Sequence, residues 1–308
     1  MPGRGGGARV PRIARLGEVR APGRMDDRGD TLSVFSDLKG SRELLHNLTM
    51  REIKGKYKRT ALGQLWSLAN PLALMVVYSF VFAIVIRVQP APGDPSGLDL
   101  FVLWLMCALL PWTFFSGIVN GSMGTIVGNE NLIKKVYFPR STLIFANTLS
   151  ALYQHLWEML ILVVAVLVLG SNVLIYIPLV AVTMVLLALF ATGLGMIFAV
   201  ANVYFRDVQH FSGILFQLWF YASPIVYPAE LVKEQSESFG PIAFGITIDN
   251  LYQLNPFIHF AEIFRNLLYD ARWPDWSTFG LVAAGSIAVF FIGWKIFDRH
   301  QDHLAEVL

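Results

Sequence analysis

A chain of 308 residues that is 55% hydrophobic and 15% charged, with a formal net charge of +2, lies far outside the composition of soluble globular domains. Several apolar runs reach the length of a bilayer span, so the chain reads as an all-α polytopic membrane protein with no stretch free for a second globular domain. Its one cysteine, Cys107, excludes a disulfide within the chain and a cysteine-based metal site.

Residues 1–40 are rich in Gly, Pro and Arg and lack both apolar periodicity and a hydrophobic signal core, which predicts a disordered cytoplasmic tail. The composition changes at Ser41, and residues 41–69 read as amphipathic interfacial helices. Thr49 and Glu52 have capping-box spacing, so a helix is expected to begin there. On it Met50, Ile53 and Tyr57 share one face, while Arg51, Lys54, Lys56, Lys58 and Arg59 spread over the others. Such a helix rests at the acyl boundary with its cations among anionic headgroups, each worth about 1 kcal/mol. One reading makes it a topology anchor only. The other makes Arg51, Lys54, Lys58 and Arg59 the place where a lipid-linked pyrophosphate is admitted, because Arg51, Lys54 and Lys58 follow i, i+3, i+7 spacing.

The membrane domain is expected over residues 70–300, with about six spans at about 71–88, 98–119, 143–169, 174–201, 211–223 and 277–296 and a cytoplasmic tail at 297–308. Asn70–Pro71 supplies an N-cap and an N1 proline for the first, Pro111 interrupts the second, and Pro224 ends the fifth. Gly193 and Gly195 allow close helix contact in the fourth. Loop charge sets the orientation. The N-terminal segment and the stretch 129–140 are basic. The loop after the fifth span instead carries Glu230, Glu234, Glu237, Asp249, Glu262, Asp270 and Asp275 against Lys233, Arg265 and Arg272. Both termini are therefore predicted in the cytoplasm and the acidic loop outside.

Asn129 to Arg140 forms a short polar and basic elbow between the second and third spans. Leu132, Ile133 and Val136 recur at helical spacing, so one or two turns can offer a partner an apolar face while Lys134, Lys135 and Arg140 stay in water and Pro139 ends the helix. The plainer alternative is a positive-inside signal. On the other side, residues 226–276 are too long and too apolar for a simple connector. Asn255–Pro256 opens a helix there that is too short to cross the bilayer. Its Phe257, Phe260 and Phe264 share a face that either plugs an outer mouth or packs against the outer ends of the fifth and sixth spans.

No catalytic constellation is present: the chain has neither a G-x-x-x-x-G-K-[ST] phosphate loop nor a His-Glu-x-x-His zinc pattern. His155 and Glu158 stand one turn apart within the third span, where ionisable groups cost about 2.5–3.5 kcal/mol and are functional candidates by default. A paired structural role is the alternative.

Four motifs together carry a resemblance. They are Arg51-x-Ile53-Lys54-x-Lys56-Tyr57-Lys58-x-Thr60-x-Leu62-Gly63-x-x-Trp66, Asn131-Leu132-Ile133-Lys134-Lys135-Val136-Tyr137-Phe138-Pro139-Arg140, Tyr204-Phe205-Arg206-Asp207-Val208, and Ser223-Pro224-Ile225-x-Tyr227. In order and spacing they resemble the membrane subunit of the ABC-2 type polysaccharide exporters, which move O-antigen, teichoic acid or cell-wall galactan on a polyprenyl lipid. The resemblance covers about residues 41–300; the first forty depart from it.

The resemblance implies the ABC-2 (type V) exporter fold in a bacterial inner membrane: a homodimer with an N-terminal interfacial helix, a coupling helix and short outer gate helices. It implies two copies of a separate ATPase that binds the ATP and Mg, no cofactor in this chain, and no nucleic-acid partner. Asn131, Leu132, Ile133, Lys134, Lys135, Val136 and Tyr137, within 129–137, then occupy the place of the coupling helix, and 226–276 becomes the outer gate region. Aromatic faces stack on the C–H faces of sugars, so Trp66, Tyr78, Trp104, Trp112, Phe115, Phe216, Trp219, Phe220 and Tyr221 are candidates for a glycan path, against the plainer role of belt or lipid-facing aromatics. An ABC-2 exporter of drugs or simple lipids, and a membrane enzyme acting on polyprenyl lipids, are the alternatives. Dependence on an ATPase separates the enzyme from both exporters, and the kind of lipid accumulating on depletion separates the exporters from each other. The Arg- and Gly-rich tail inclines the choice of polymer towards a galactan.

Overall fold

Helix is the only regular structure among the described residues, which is what a chain must adopt where lipid offers its backbone no partner. The computed structural model describes residues 42–56, 66–85, 87, 91–136, 138–241, 245, 247–301 and 303–304. The tail predicted over residues 1–40 lies outside them, as do Tyr57, Lys58, Arg59 and Tyr137.

In chain order the helices are α1 (Arg42–Lys56), α2 (Trp66–Tyr78, running on as a π-helical segment, Ser79–Val85), α3 (Phe101–Gly128), α4 (Glu130–Lys135) and α5 (Ser141–Val168). A 3₁₀ turn, Leu174–Tyr176, leads into α6 (Ile177–Tyr204), followed by α7 (Val208–Tyr221), α8 (Ala229–Phe239) and α9 (Ile248–Tyr252). Then come α10 (Pro256–Arg265, continued as a π-helical segment, Asn266–Asp270) and α11 (Trp276–His300). Four of these segments, 101–128, 141–168, 174–204 and 276–300, are long and apolar enough to cross a membrane. The apolar part of α2, Leu72–Phe82, falls short of that length. So does α7, whose 14 residues rise about 21 Å against a hydrocarbon core of about 30 Å.

Three local expectations are corrected. α1 runs straight through Thr49, whose hydroxyl donates back to the Leu45 carbonyl at 2.8 Å instead of capping a new helix. α2 begins at Trp66, so Asn70 and Pro71 lie inside it. α3 continues through Pro111 without a break, since its neighbours on both sides of that residue are locked in the core.

α3 is the axis of the bundle. In its most apolar window 78% of residues are buried, against 28% in α5, 44% in α6 and 17% in α11, so α3 is the helix enclosed by protein while the others keep an exposed face. Polar side chains fasten its neighbours to it. Asn147 of α5 donates to the Ile118 carbonyl at 3.0 Å, and Asn202 of α6 donates to the Met123 carbonyl at 3.1 Å. Thr148 and Thr192 share a hydrogen bond of 2.9 Å between α5 and α6. α11 lies against α6 through Gly193 and Gly293; a Cβ at Gly193 would sit 2.5 Å from the Val289 carbonyl oxygen, so the backbones touch only because both are glycine.

These small and polar contacts form a waist between two apolar cores. One, near α1 and α4, contains Leu48, Ile126, Ile133, Leu143, Val203 and Phe297. The other contains Phe115, Phe190, Phe216, Phe257 and Phe264. At the first end lie the elbow, the 204–208 turn and the end of α11, whose His300 meets Tyr204 edge-on at 6.1 Å. At the opposite end the 91–98 loop bonds to Asp270 (Ser96 N to the Asp270 carbonyl, 3.0 Å), and Tyr176 meets Trp273 at 5.0 Å.

The short helices α7 and α10 are joined end to end by one side chain. The Asn255 Oδ1 accepts from the Phe257 N–H at 3.0 Å, capping α10, and from the Trp219 indole N–H at 2.7 Å. Its Nδ2 donates to the Ala222 carbonyl at 3.0 Å and to the Ser223 hydroxyl at 2.8 Å, closing the end of α7. The sequence shows Asn255 as a cap; only the fold shows that it serves two helices. Asn255→Ala is expected to cost about 2–4 kcal/mol, a lost cap plus the groups it leaves unpaired. Asn255→Asp keeps the acceptor, loses both donors and should fall between that variant and the parent. Thermal unfolding in detergent measures both, and two parent-like curves would remove the joint.

Candidate functional site

The elbow is built on the first core. α4 follows α3 after one residue, and Ile133, on its inner face, is buried beside Ile126, Phe138, Leu143 and Leu48 of α1. The apolar face expected to meet a partner is therefore partly turned inward. Val136 is the large apolar side chain left outside, 51% exposed, with Lys134 and Lys135 beside it. Lys134 donates to Glu130 at 2.6 Å, and that hydrogen bond and charge hold the Glu130 carboxyl below the usual carboxylate range. A depression of about 200 Å³ is rimmed by Lys134, Lys135, Val136 and Arg140 and floored by Ile133 and Phe138. Arg140 is itself fixed, donating to the Gln301 carbonyl after α11.

α1 is fastened to this elbow. The Arg51 guanidinium donates to the Asn129 side chain at 2.7 Å and pairs with Glu52 at 3.1 Å, so one of the cations expected to bind pyrophosphate holds two elements together. Lys54 is exposed. Along α5 a chain of long contacts, each 3.4 Å, links Lys56 to Gln154, Gln154 to Glu158 and Glu158 to His155, whose ring stacks on Phe114 at 4.4 Å. The two ionisable residues of the third predicted span are thus buried and paired.

Of the aromatics proposed for a glycan path, the fold gathers seven into one cluster joining α2, α3 and α7, Tyr221 through Phe220 at 5.1 Å, with Phe257 of α10 added. Trp112 meets Phe257 at 4.8 Å, Phe220 at 5.7 Å and Trp219 at 6.1 Å. Phe115 meets Phe216 at 5.6 Å, and Tyr78 stacks on Phe220 at 5.7 Å. Trp112, Phe115, Phe216 and Phe220 are buried, whereas Tyr78 and Trp219 keep part of their surface. Trp66 and Tyr221 are exposed, and Trp104 stands apart under the Arg265 guanidinium, 3.5 Å from its ring. Phe257, Phe260 and Phe264 are fully buried, with Phe260 against Phe190 of α6 at 5.8 Å. The face expected at an outer mouth is used inside the chain's own core, on α3 and α6. Among the described residues no cluster of His, Cys, Asp or Glu is placed to hold a metal ion.

With this geometry in hand, the chain matches the family model for the ABC-2 type transporter over residues 43–269, and it belongs to that family. It is 29% identical over 275 residues to the O-antigen export system permease protein RfbA of Myxococcus xanthus, covering 89% of this chain and 99% of that one. A protein of the same name from Klebsiella pneumoniae is 28% identical over 270 residues, covering 86% and 95%. The polysialic acid transport protein KpsM of Escherichia coli is 25% identical over 258 residues, covering 83% and 92%.

The inner and outer faces of the elbow are separable by mutation. Ile133→Asp places a carboxylate in the first core and should cost about 3 kcal/mol or more, lowering the melting temperature clearly. Val136→Asp should change stability by less than about 0.5 kcal/mol. Equal melting temperatures for the two variants would contradict this assignment of faces.

Proposed function

We propose that this chain is the membrane subunit of an ATP-driven exporter that carries a polysaccharide across the bacterial inner membrane. The observation that carries the reading is similarity along more than four-fifths of the chain to permeases named for the export of O-antigen and polysialic acid. Within this reading the elbow end is cytoplasmic. It gathers Lys134, Lys135, Arg140, Arg206 and Arg299, while the opposite end is rich in carboxylates, as the positive-inside rule requires.

The elbow then couples the chain to a separate ATPase. Its exposed Lys134, Lys135 and Val136 form the contact, and Arg51 holds α1 against it through Asn129. Because α1 and the elbow form one unit, a push at α4 reaches the interfacial helix directly. Lys54, with Lys58 and Arg59, is left to meet the pyrophosphate of a polyprenyl-linked glycan such as a galactan or O-antigen.

Two copies of the chain and two of the ATPase make the transporter. Phe211, Ile214, Leu218 and Tyr221 form an exposed apolar face on α7, and Val76, Val77, Phe80 and Ile84 lie exposed on α2. α7 is too short to span on its own, and a second copy beside these faces completes the membrane domain. Tyr78, Trp219 and Tyr221, which belong to the aromatic cluster and keep part of their surface, are the ones to touch sugar.

Depleting the chain should make lipid-linked glycan accumulate on the cytoplasmic side. Accumulation of an unglycosylated lipid instead would shift the assignment to simple-lipid export. Lys135→Glu should reduce ATPase copurification and substrate-stimulated hydrolysis while leaving thermal stability at the parent value. Parent-like copurification and hydrolysis would remove Lys135 from the contact.

A further inference from the structure

The end opposite the elbow holds a cavity of about 460 Å³, walled by α8, α9, α10 and the 91–94 loop, with Trp104 of α3 at its base. That volume lies within the range of about 300–1,000 Å³ of small-ligand sites. It has room for a short stretch of a polymer.

Its floor is preformed. The Ser96 hydroxyl donates to the Tyr269 carbonyl, and a Cβ at Gly93 would lie 2.8 Å from the same oxygen, so only glycine lets the loop approach this closely. The Arg265 guanidinium is held over the Trp104 ring and donates to the Ile225 carbonyl at 3.2 Å. Arg272 is fixed by Asn266 at 2.9 Å and by Asp270 at 3.2 Å.

Lining chemistry narrows the ligand. Most of the polar groups are planar forks, carboxylates, amides and guanidinium groups, the geometry that engages two neighbouring hydroxyls at once. Carboxylates outnumber cations five to three, which disfavours a phosphate or an acidic polymer. Pro92, Pro224 and Pro228 add C–H surface, but the polar lining is wrong for a lipid tail.

We propose that this cavity binds one or a few units of an uncharged, hydroxyl-rich saccharide, the newly emerged part of the exported chain, on the outer face of the membrane. The inference rests on the polysaccharide reading above. A saccharide held here hinders the polymer from sliding back between power strokes.

Cysteine reporters test it on the substrate the cell itself makes. Cys107 is fully buried, so the parent chain is the unlabelled control. Gln253→Cys and Lys233→Cys, from the α9–α10 turn and α8, place thiols on the cavity wall, and Phe239→Cys places one on α8 outside it. The assembled transporter is treated in intact cells with a membrane-impermeant methanethiosulfonate, with glycan synthesis on or off. Both wall thiols should react severalfold more slowly while glycan is made, and Phe239→Cys equally in both states. Equal rates at both wall thiols in the two states overturn the site. No reaction at either wall thiol in either state also overturns it, since a second copy or another protein then fills the cavity. If depletion fails to accumulate a glycolipid, the polysaccharide reading itself falls; if it accumulates and the wall thiols are unprotected, only the site falls.

Discussion

The Asn255 amide uses all four of its hydrogen-bonding positions to join the end of α7 to the start of α10. A helix end leaves carbonyls without an intrahelical partner, and the next helix begins with unpaired N–H groups. Joining the two ends through one amide settles both at once, and it fixes where α10 starts. From that start, Phe257, Phe260 and Phe264 are aimed into α3 and α6, so the aromatic core depends on the joint above it.

Once that core is filled, the routes left for a large substrate are few. α3 is enclosed by protein and its rings at Trp112 and Phe115 are taken up by other rings, so nothing the size of a sugar passes beside them within one chain. The apolar side chains left exposed stand on the outside of the bundle, along α2, α5, α7 and α11.

Much of this was legible from residues alone. The long helices announce themselves by hydropathy, and the Asn255–Pro256 start by cap chemistry, because both signals are local. The elbow was placed correctly as a short helix, yet its periodicity could not say which way Ile133 faces, since Leu132, Ile133 and Val136 fit one stripe whether the helix meets a partner or its own core. Thr49 misled for a related reason: a hydroxyl three residues before a glutamate looks the same when it caps a helix and when it bonds backwards inside one. Pairings across the chain carried no local signal. Nothing near Arg51 in sequence points to Asn129, and nothing near Trp104 points to Arg265.

The waist of glycine, threonine and asparagine that separates the two apolar cores bears on how damage spreads through the protein. Changes in residues with no shared neighbours combine by simple addition of their free energies, whereas changes within one packed cluster interact. Ile133 and Phe257 belong to different clusters, with the Thr148–Thr192 and Gly193–Gly293 contacts lying between those clusters. Sequence change at the elbow can therefore proceed without compensating change at the opposite end. The two ends of the molecule are free to evolve at different rates.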